Sequence, residues 1–177
     1  MAKSDSLSGT LKNILCPIDV EPASICALDL ALKLAERDRA TIWVMHVTQD
    51  YTGTQPVVTV PPQSQIKQSS VREIAYNRLE GRVRYQVIVR HGDAGNEIIR
   101  AADEVGADLI VMATHGYTGT LRVLIGSVCD HVMQESGCPL MVVRARQDYV
   151  AKAELHLPGI RQAAAHLNER KFQSLMR

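Results

Sequence analysis

Residues 111–136, VMATHGYTGTLRVLIGSVCDHVMQES, decide the reading of this chain. They open on the end of an apolar run, pass Gly116, Gly119 and Gly126, and close on a helical pattern. Glycine reaches backbone conformations closed to other residues and lets a ligand lie against bare main chain. Ser127 stands where a helix N-cap is expected, with Asp130 three residues on as the return partner of a capping box. Main-chain N–H groups aimed from such a loop and from a helix N-terminus form a cradle for an anion. The stretch therefore predicts a strand, a glycine loop and a helix arranged around a phosphate-bearing ligand.

Outward from it, strand and helix patterns alternate. Residues 11–18 (LKNILCPI) read as a first strand with Asp19 at its carboxyl end. Glu21-Pro22 then opens a helix to about Arg37, with Ile25, Leu28 and Leu32 on one face and Pro22 suited to its first position. Residues 41–47 (TIWVMHV) read as a second strand, and residues 49–69, with Gly53, Pro56, Pro61 and Pro62, as a mobile surface loop. Val71, Ile74, Ala75 and Leu79 keep helical spacing up to Gly81, and residues 83–90 form a third strand. Asp93 caps a helix that buries Ile98, Ala101, Ala102 and Val105 and stops at Gly106. Residues 109–113 are the fourth strand, Gly137 ends the helix after the glycine loop, and Pro139 to Val143 is the fifth.

These strands are continuous apolar runs, as expected of a parallel sheet covered on both faces. In such sheets ligands bind beyond the carboxyl ends of strands, where the strand order reverses. If the first and fourth strands are neighbours there, Asp19 and the glycine loop face one crevice.

A chain of 177 residues accommodates one domain with appendages. Its 20 basic and 19 acidic side chains nearly cancel, so nothing electrostatic favours nucleic acid or an anionic membrane as a partner. No apolar run reaches membrane-spanning length, and MAKSDSLSGT lacks the apolar core of a signal peptide. Cys16, Cys26, Cys129 and Cys138 lack zinc-site or CxxC spacing and are expected to be reduced core thiols in a cytoplasmic protein.

Several segments together resemble the universal stress protein family. They are NILCPID at 13–19, His46-Val47, His91-Gly92-Asp93, ADLIVM at 107–112, Thr114-His115-Gly116 and Gly126-Ser127-Val128. The resemblance covers about residues 11–144. The family's ATP-binding signature, G-x2-G-x9-G-[ST], falls on Ala113, Gly116, Gly126 and Ser127, with alanine in place of the first glycine. The resemblance implies a Rossmann-like three-layer α/β/α fold with a five-stranded parallel sheet of order 3-2-1-4-5. It implies ATP as ligand, with Mg2+ or Mn2+ as the accompanying metal. The implied binding set is Pro17, Asp19, Val47, Met112, Ala113, His115, Gly116, Gly126, Ser127 and Val128. In that set Asp19 meets the ribose or the metal, and Val47 meets adenine through its backbone. Met112 and Ala113 line the ribose, and Gly116, Gly126, Ser127 and Val128 take the phosphates. A homodimer through Pro139 to Val143 is implied as well.

Plainer readings stand beside these. Asp19 could cap the first helix, and His115 could pack against the first strand instead of meeting phosphate. His46 and His131 are expected to be satisfied structural histidines, since no pair has metal-ligand spacing. Alanine at 113 is compatible with binding unless the position needs a positive φ or the ribose packs on bare backbone there. No G-x4-G-K-[ST] lysine is present, so ATP is expected as a bound ligand with at most slow hydrolysis. The alternatives are an interaction module without nucleotide, or a slow hydrolase. The chain thus divides into a flexible N-terminus at 1–10, the domain at 11–146, and a C-terminal helical extension at 147–177. In the extension Ile160, Ala164 and Leu167 keep helical spacing; the plainer reading is a helix docked on its own domain or on a sister subunit, and the sharper one is a docking surface for a protein partner.

Overall fold

Strand and helix alternate as β1 (Asn13–Pro17), α1 (Pro22–Asp38), β2 (Thr41–Thr48), α2 (Gln63–Leu79), β3 (Arg84–His91), α3 (Ala94–Glu104), β4 (Leu109–Thr114), α4 (Ser127–Glu135) and β5 (Leu140–Arg144). The computed structural model describes residues 9–19, 22–48, 63–114 and 126–144. All five strands run parallel in one sheet of order β3-β2-β1-β4-β5. β1 is central: Ile14 lies beside Ile42 of β2 and Leu109 of β4, and Leu15 beside Trp43 and Ile110. From β1 the chain builds outward to β2 and β3, then returns to place β4 on β1's other side. The order therefore reverses between β1 and β4.

Side chains alternate across the sheet with a period of two. One face sets Leu15, Met45, Ile110 and Met112 against Ile98, Ala101 and Ala102 of α3 and Cys129 and Val132 of α4. On the other face α1 packs on β1, β2 and β4, and α2 on β2 and β3. Ile14, Ile42, Val44 and Val111 are buried as completely as Leu15 and Ile110, which is why the strands read as unbroken apolar runs. Arg78 of α2 donates to both carboxylate oxygens of Asp29 on α1 (2.6 and 2.9 Å), joining the two helices of that layer.

The local signals act where the residues suggest. α1 begins at Pro22, whose missing N–H costs nothing at that position. Asp93 caps α3 in an extended conformation, its carboxylate accepting from Asn96 N–H (2.9 Å). Gly106, at φ 58°, turns the chain out of α3, with Ala107 N–H donating to Ala102 O (2.8 Å).

Several boundaries differ from expectation: β1 is shorter at both ends, β2 and β4 each run one residue further, and β3 begins and ends one residue later. The loop expected over residues 49–69 is helical from Gln63, because neither glycine nor proline occurs between Pro62 and Gly81. That first stretch, QSQIKQSS, is too polar to carry an apolar period, so the helix start leaves no pattern there. β5 spans Leu140–Arg144, one residue beyond the expected segment. Residues 1–8 and 49–62 and the expected extension at 147–177 lie outside the described residues.

Candidate functional site

The carboxyl ends of β1, β2 and β4 and the first turns of α3 and α4 enclose a cavity of about 220 Å3. Its position is the one set by the reversal of strand order between β1 and β4. Met45, Val47, Ile98 and Met112 supply apolar wall, while Asp19, Ser24, Thr114 and Ser127 supply polar groups. The fold thus brings Pro17, Asp19, Val47, Met112, Ala113, Gly126, Ser127 and Val128 onto one surface. His115 and Gly116 lie outside the described residues, as do Thr118, Gly119 and Arg122.

The start of α4 differs from the expected capping box. The N-cap is Gly126 (φ −56°, ψ 150°) with no side-chain capping bond, and Ser127 is the first helical residue. Asp130 does not reach back to the cap; its carboxylate accepts from Gln134 Nε2 (3.0 Å), one turn on. A Ser-x-x-Asp spacing reads the same one residue earlier or later, so only the backbone identifies the cap. The consequence is chemical. The first intrahelical donor is Asp130 N–H, which bonds to Gly126 O (2.9 Å). The N–H groups of Ser127, Val128 and Cys129 therefore have no intrahelical acceptor, and all three residues line the cavity. An uncapped helix start of this kind attracts an anion through its donors and its dipole.

Ala113 sits in β4, paired with Val143 of β5. Among the described residues the only non-glycine with positive φ is Arg39, at 57°. The position thus makes no backbone demand that alanine fails to meet, and Ala113 lines the cavity.

Two lining residues had weak or no sequence signals. Ser24, in the first turn of α1 and only 5% exposed, accepts a hydrogen bond from Asp19 N–H (3.3 Å) through its hydroxyl. No spacing marks it, because the contact depends on how the segment after β1 folds back onto α1. His46 is half satisfied, not fully as expected. Its Nδ1 lies 2.8 Å from Ile18 O, which fixes the proton on that nitrogen, and the buried Nε2 has no hydrogen-bond partner among the described residues. His131, on α4, lies with its Nε2–H donating to Asn96 Oδ1 (3.0 Å).

No disulfide joins the cysteines. Burial pushes the Cys16 thiol well above its ordinary value, with the Asp29 carboxylate adding to the effect. Burial likewise raises that of Cys129, with Asp130 contributing. Both remain protonated, poor nucleophiles. Among the described residues no group of three or more His, Cys, Asp or Glu converges to hold a metal ion. No described helix is long and apolar enough to cross a membrane.

Residues 10–144 match the model of the universal stress protein family. The chain is 29% identical to universal stress protein MJ0531 of Methanocaldococcus jannaschii, over 75% of this chain and 82% of that protein. It is 30% identical to universal stress protein YxiE of Bacillus subtilis, over 74% of this chain and 97% of that one. Among solved structures, a universal stress protein in complex with cAMP superposes with a TM-score of 0.59 at 19% identity, over 78% of this chain and all of that one (100%).

Proposed function

Because this chain belongs to the universal stress protein family, we propose that it binds ATP as a ligand in the cavity between β1 and β4, with little or no turnover. The observation that carries the reading is the uncapped start of α4 at Gly126, opening onto a cavity whose other walls are apolar. A nucleotide matches this division: its base suits Met45, Val47, Ile98 and Met112, and its phosphates suit the N–H groups of Ser127, Val128 and Cys129. A related fold takes a cyclic nucleotide, which supports the same chemical class.

In this reading Asp19 and Ser24 lie on the ribose side, and Pro17 and Ala113 shape the walls. His115 and Gly116, outside the described residues, are assigned to the same ligand by the family resemblance alone. A Mg2+ or Mn2+ ion would be carried by the phosphates, with Asp19 the one carboxylate among the described lining residues. Those residues include neither lysine nor arginine, and the His46 ring is tied to Ile18 O. The described lining thus offers no group that would neutralise a transferring phosphoryl group, which supports a ligand held with little or no turnover. The chain acts as a cytoplasmic stress-response dimer, its conformation or partner choice biased by the bound nucleotide. β5 supplies the dimer contact: it is a sheet edge, and Met141 (37% exposed) and Val142 (39% exposed) are apolar side chains left on its surface. The tail at 147–177 is assigned to a protein partner on its helical spacing.

The test is to purify the protein without added nucleotide, denature it and separate the released small molecules by ion exchange. Calorimetric titration with ATP, with and without magnesium, follows. Stoichiometric ATP or micromolar binding supports the reading. Neither nucleotide nor heat from a folded protein sinks it in favour of an interaction module.

A further inference from the structure

α3 and α4 meet at one unusual contact. Gly95 lies in the first turn of α3, buried, beneath the imidazole of His131 on α4. A Cβ built on residue 95 would fall 2.4 Å from His131 Cδ2 and 3.1 Å from its Cγ, closer than side chains approach one another. The ring thus occupies the space that the missing side chain leaves. At the next ring atom, His131 Nε2–H donates to Asn96 Oδ1 (3.0 Å) at the surface. The two contacts grip the ring between consecutive residues of α3.

This matters because the two helix starts are anchored differently. α3 fixes its own first turn through Asp93, whose carboxylate accepts from the N–H of that same Asn96. α4 has no side-chain cap at Gly126. Both first turns border the cavity, α3 through Ala94 and α4 through Ser127 and Val128. His131 is four residues beyond Ser127, hence on the same side of α4 and one turn further in. The core contacts of Cys129 and Val132 hold α4 against the sheet, but an apolar contact leaves rotation and sliding along the axis comparatively soft. A ring seated on a glycine and hydrogen-bonded to the next residue restrains both.

We propose that His131 is a positioning residue. Clasped by Gly95 and Asn96, it registers the uncapped start of α4 against the self-capped start of α3, so that the N–H groups of Ser127, Val128 and Cys129 are held in place for phosphate. The inference rests on the nucleotide reading above. It adds the device that keeps the phosphate half of the site rigid, and it makes a distinctive claim: the clasp acts on the phosphates and not on the base or ribose.

The experiment is a calorimetric comparison of ATP and adenosine binding to the full chain, in the wild type and in His131→Ala, His131→Gln and Gly95→Ala. In His131→Ala, ATP affinity falls about fivefold, the scale of one hydrogen bond, while adenosine affinity changes less than about twofold. His131→Gln keeps a donor for Asn96 Oδ1 and recovers most of the ATP affinity. Gly95→Ala evicts the ring and reproduces the selective loss, but adds nothing when combined with His131→Ala, where the space is vacant. Equal losses for ATP and adenosine make His131 merely structural and overturn the proposal, as does unchanged ATP affinity in His131→Ala. A wild type that binds neither compound overturns the nucleotide reading and the clasp with it. A wild type that binds ATP while the variants fail the selectivity pattern overturns the clasp alone.

Discussion

Ala113 of β4 lies beside Val143 of β5 in an ordinary parallel ladder, on the wall of the cavity between β1 and β4. The backbone there needs no positive φ. Ala113→Gly therefore leaves ATP affinity within about threefold in calorimetric titration, and it lowers stability by about 0.5–1 kcal/mol in thermal unfolding through the entropy of an unconstrained strand residue. A tenfold or larger gain in affinity would mean that the methyl obstructs the site.

Gly126 offers a change with opposite effects on stability and binding. A side chain placed there meets nothing within 4 Å, and the φ of −56° suits any residue. In Gly126→Asp, the carboxylate can cap α4 and raises stability by a few tenths of a kcal/mol. It also places a negative charge where phosphate is proposed to lie, and ATP affinity falls by at least about tenfold. Calorimetry read beside a urea melt checks both signs. Undiminished binding would remove the start of α4 from the site.

Gly95 is the second residue of α3, and a glycine this near a helix start costs less relative to alanine than the roughly 1 kcal/mol of a helix interior. Gly95→Ala alone gains nothing or destabilises, since the methyl displaces the His131 ring. In a His131→Ala background the same change stabilises by about 0.5 kcal/mol, because only the reduced propensity of the first turn remains. Four urea melts complete the cycle. Additive effects would show that ring and glycine do not interact.

Asp38, at the end of α1, accepts hydrogen bonds from the Arg37 guanidinium and from Leu11 N–H (3.2 Å). The Arg37 bond outweighs the cost of desolvation and holds the carboxyl at about 2, below its ordinary 3.8. A group with a depressed folded value stabilises at pH above its unfolded value and loses that contribution as pH falls toward the folded one. The acid loss at this site therefore falls between about pH 4 and pH 2. Asp38→Asn flattens the dependence of the unfolding midpoint on pH in that window; an unchanged slope would assign the acid sensitivity elsewhere.

The edge strand β5 exposes Met141 and Val142, and charge on such a row opposes strand-to-strand association. Met141→Asp with Val142→Lys converts the proposed dimer to monomer in sedimentation velocity, with the far-ultraviolet circular dichroism spectrum retained. A persistent dimer would place the contact on another surface.

Much of this molecule is local in its causes. The alternation of apolar runs, Pro22 at the start of α1, Asp93 at the start of α3 and Gly106 at its end all act within a few residues of themselves, so their roles are legible from spacing. Where local patterns are degenerate the reading slips. Ser127 and Gly126 compete for one cap, and the polar first turns of α2 carry no period. The strand order followed from resemblance to a family and not from the residues' own patterning, since periodicity is silent about which strands are neighbours.

The sequence by itself determined the succession of strands and helices, the two-sided burial of the sheet and the glycine-bearing segment between β4 and α4. Only the tertiary structure decided that Asp19, Val47, Ala113 and Ser127 share one cavity, that Ser24 supports Asp19, that the His46 Nε2 has no partner among the described residues, and that Gly95 is small because His131 sits on it. Each of these depends on residues far apart in the chain meeting across packed layers. Composition and spacing constrain neighbours along the backbone; such meetings are fixed by which surfaces the whole fold buries together.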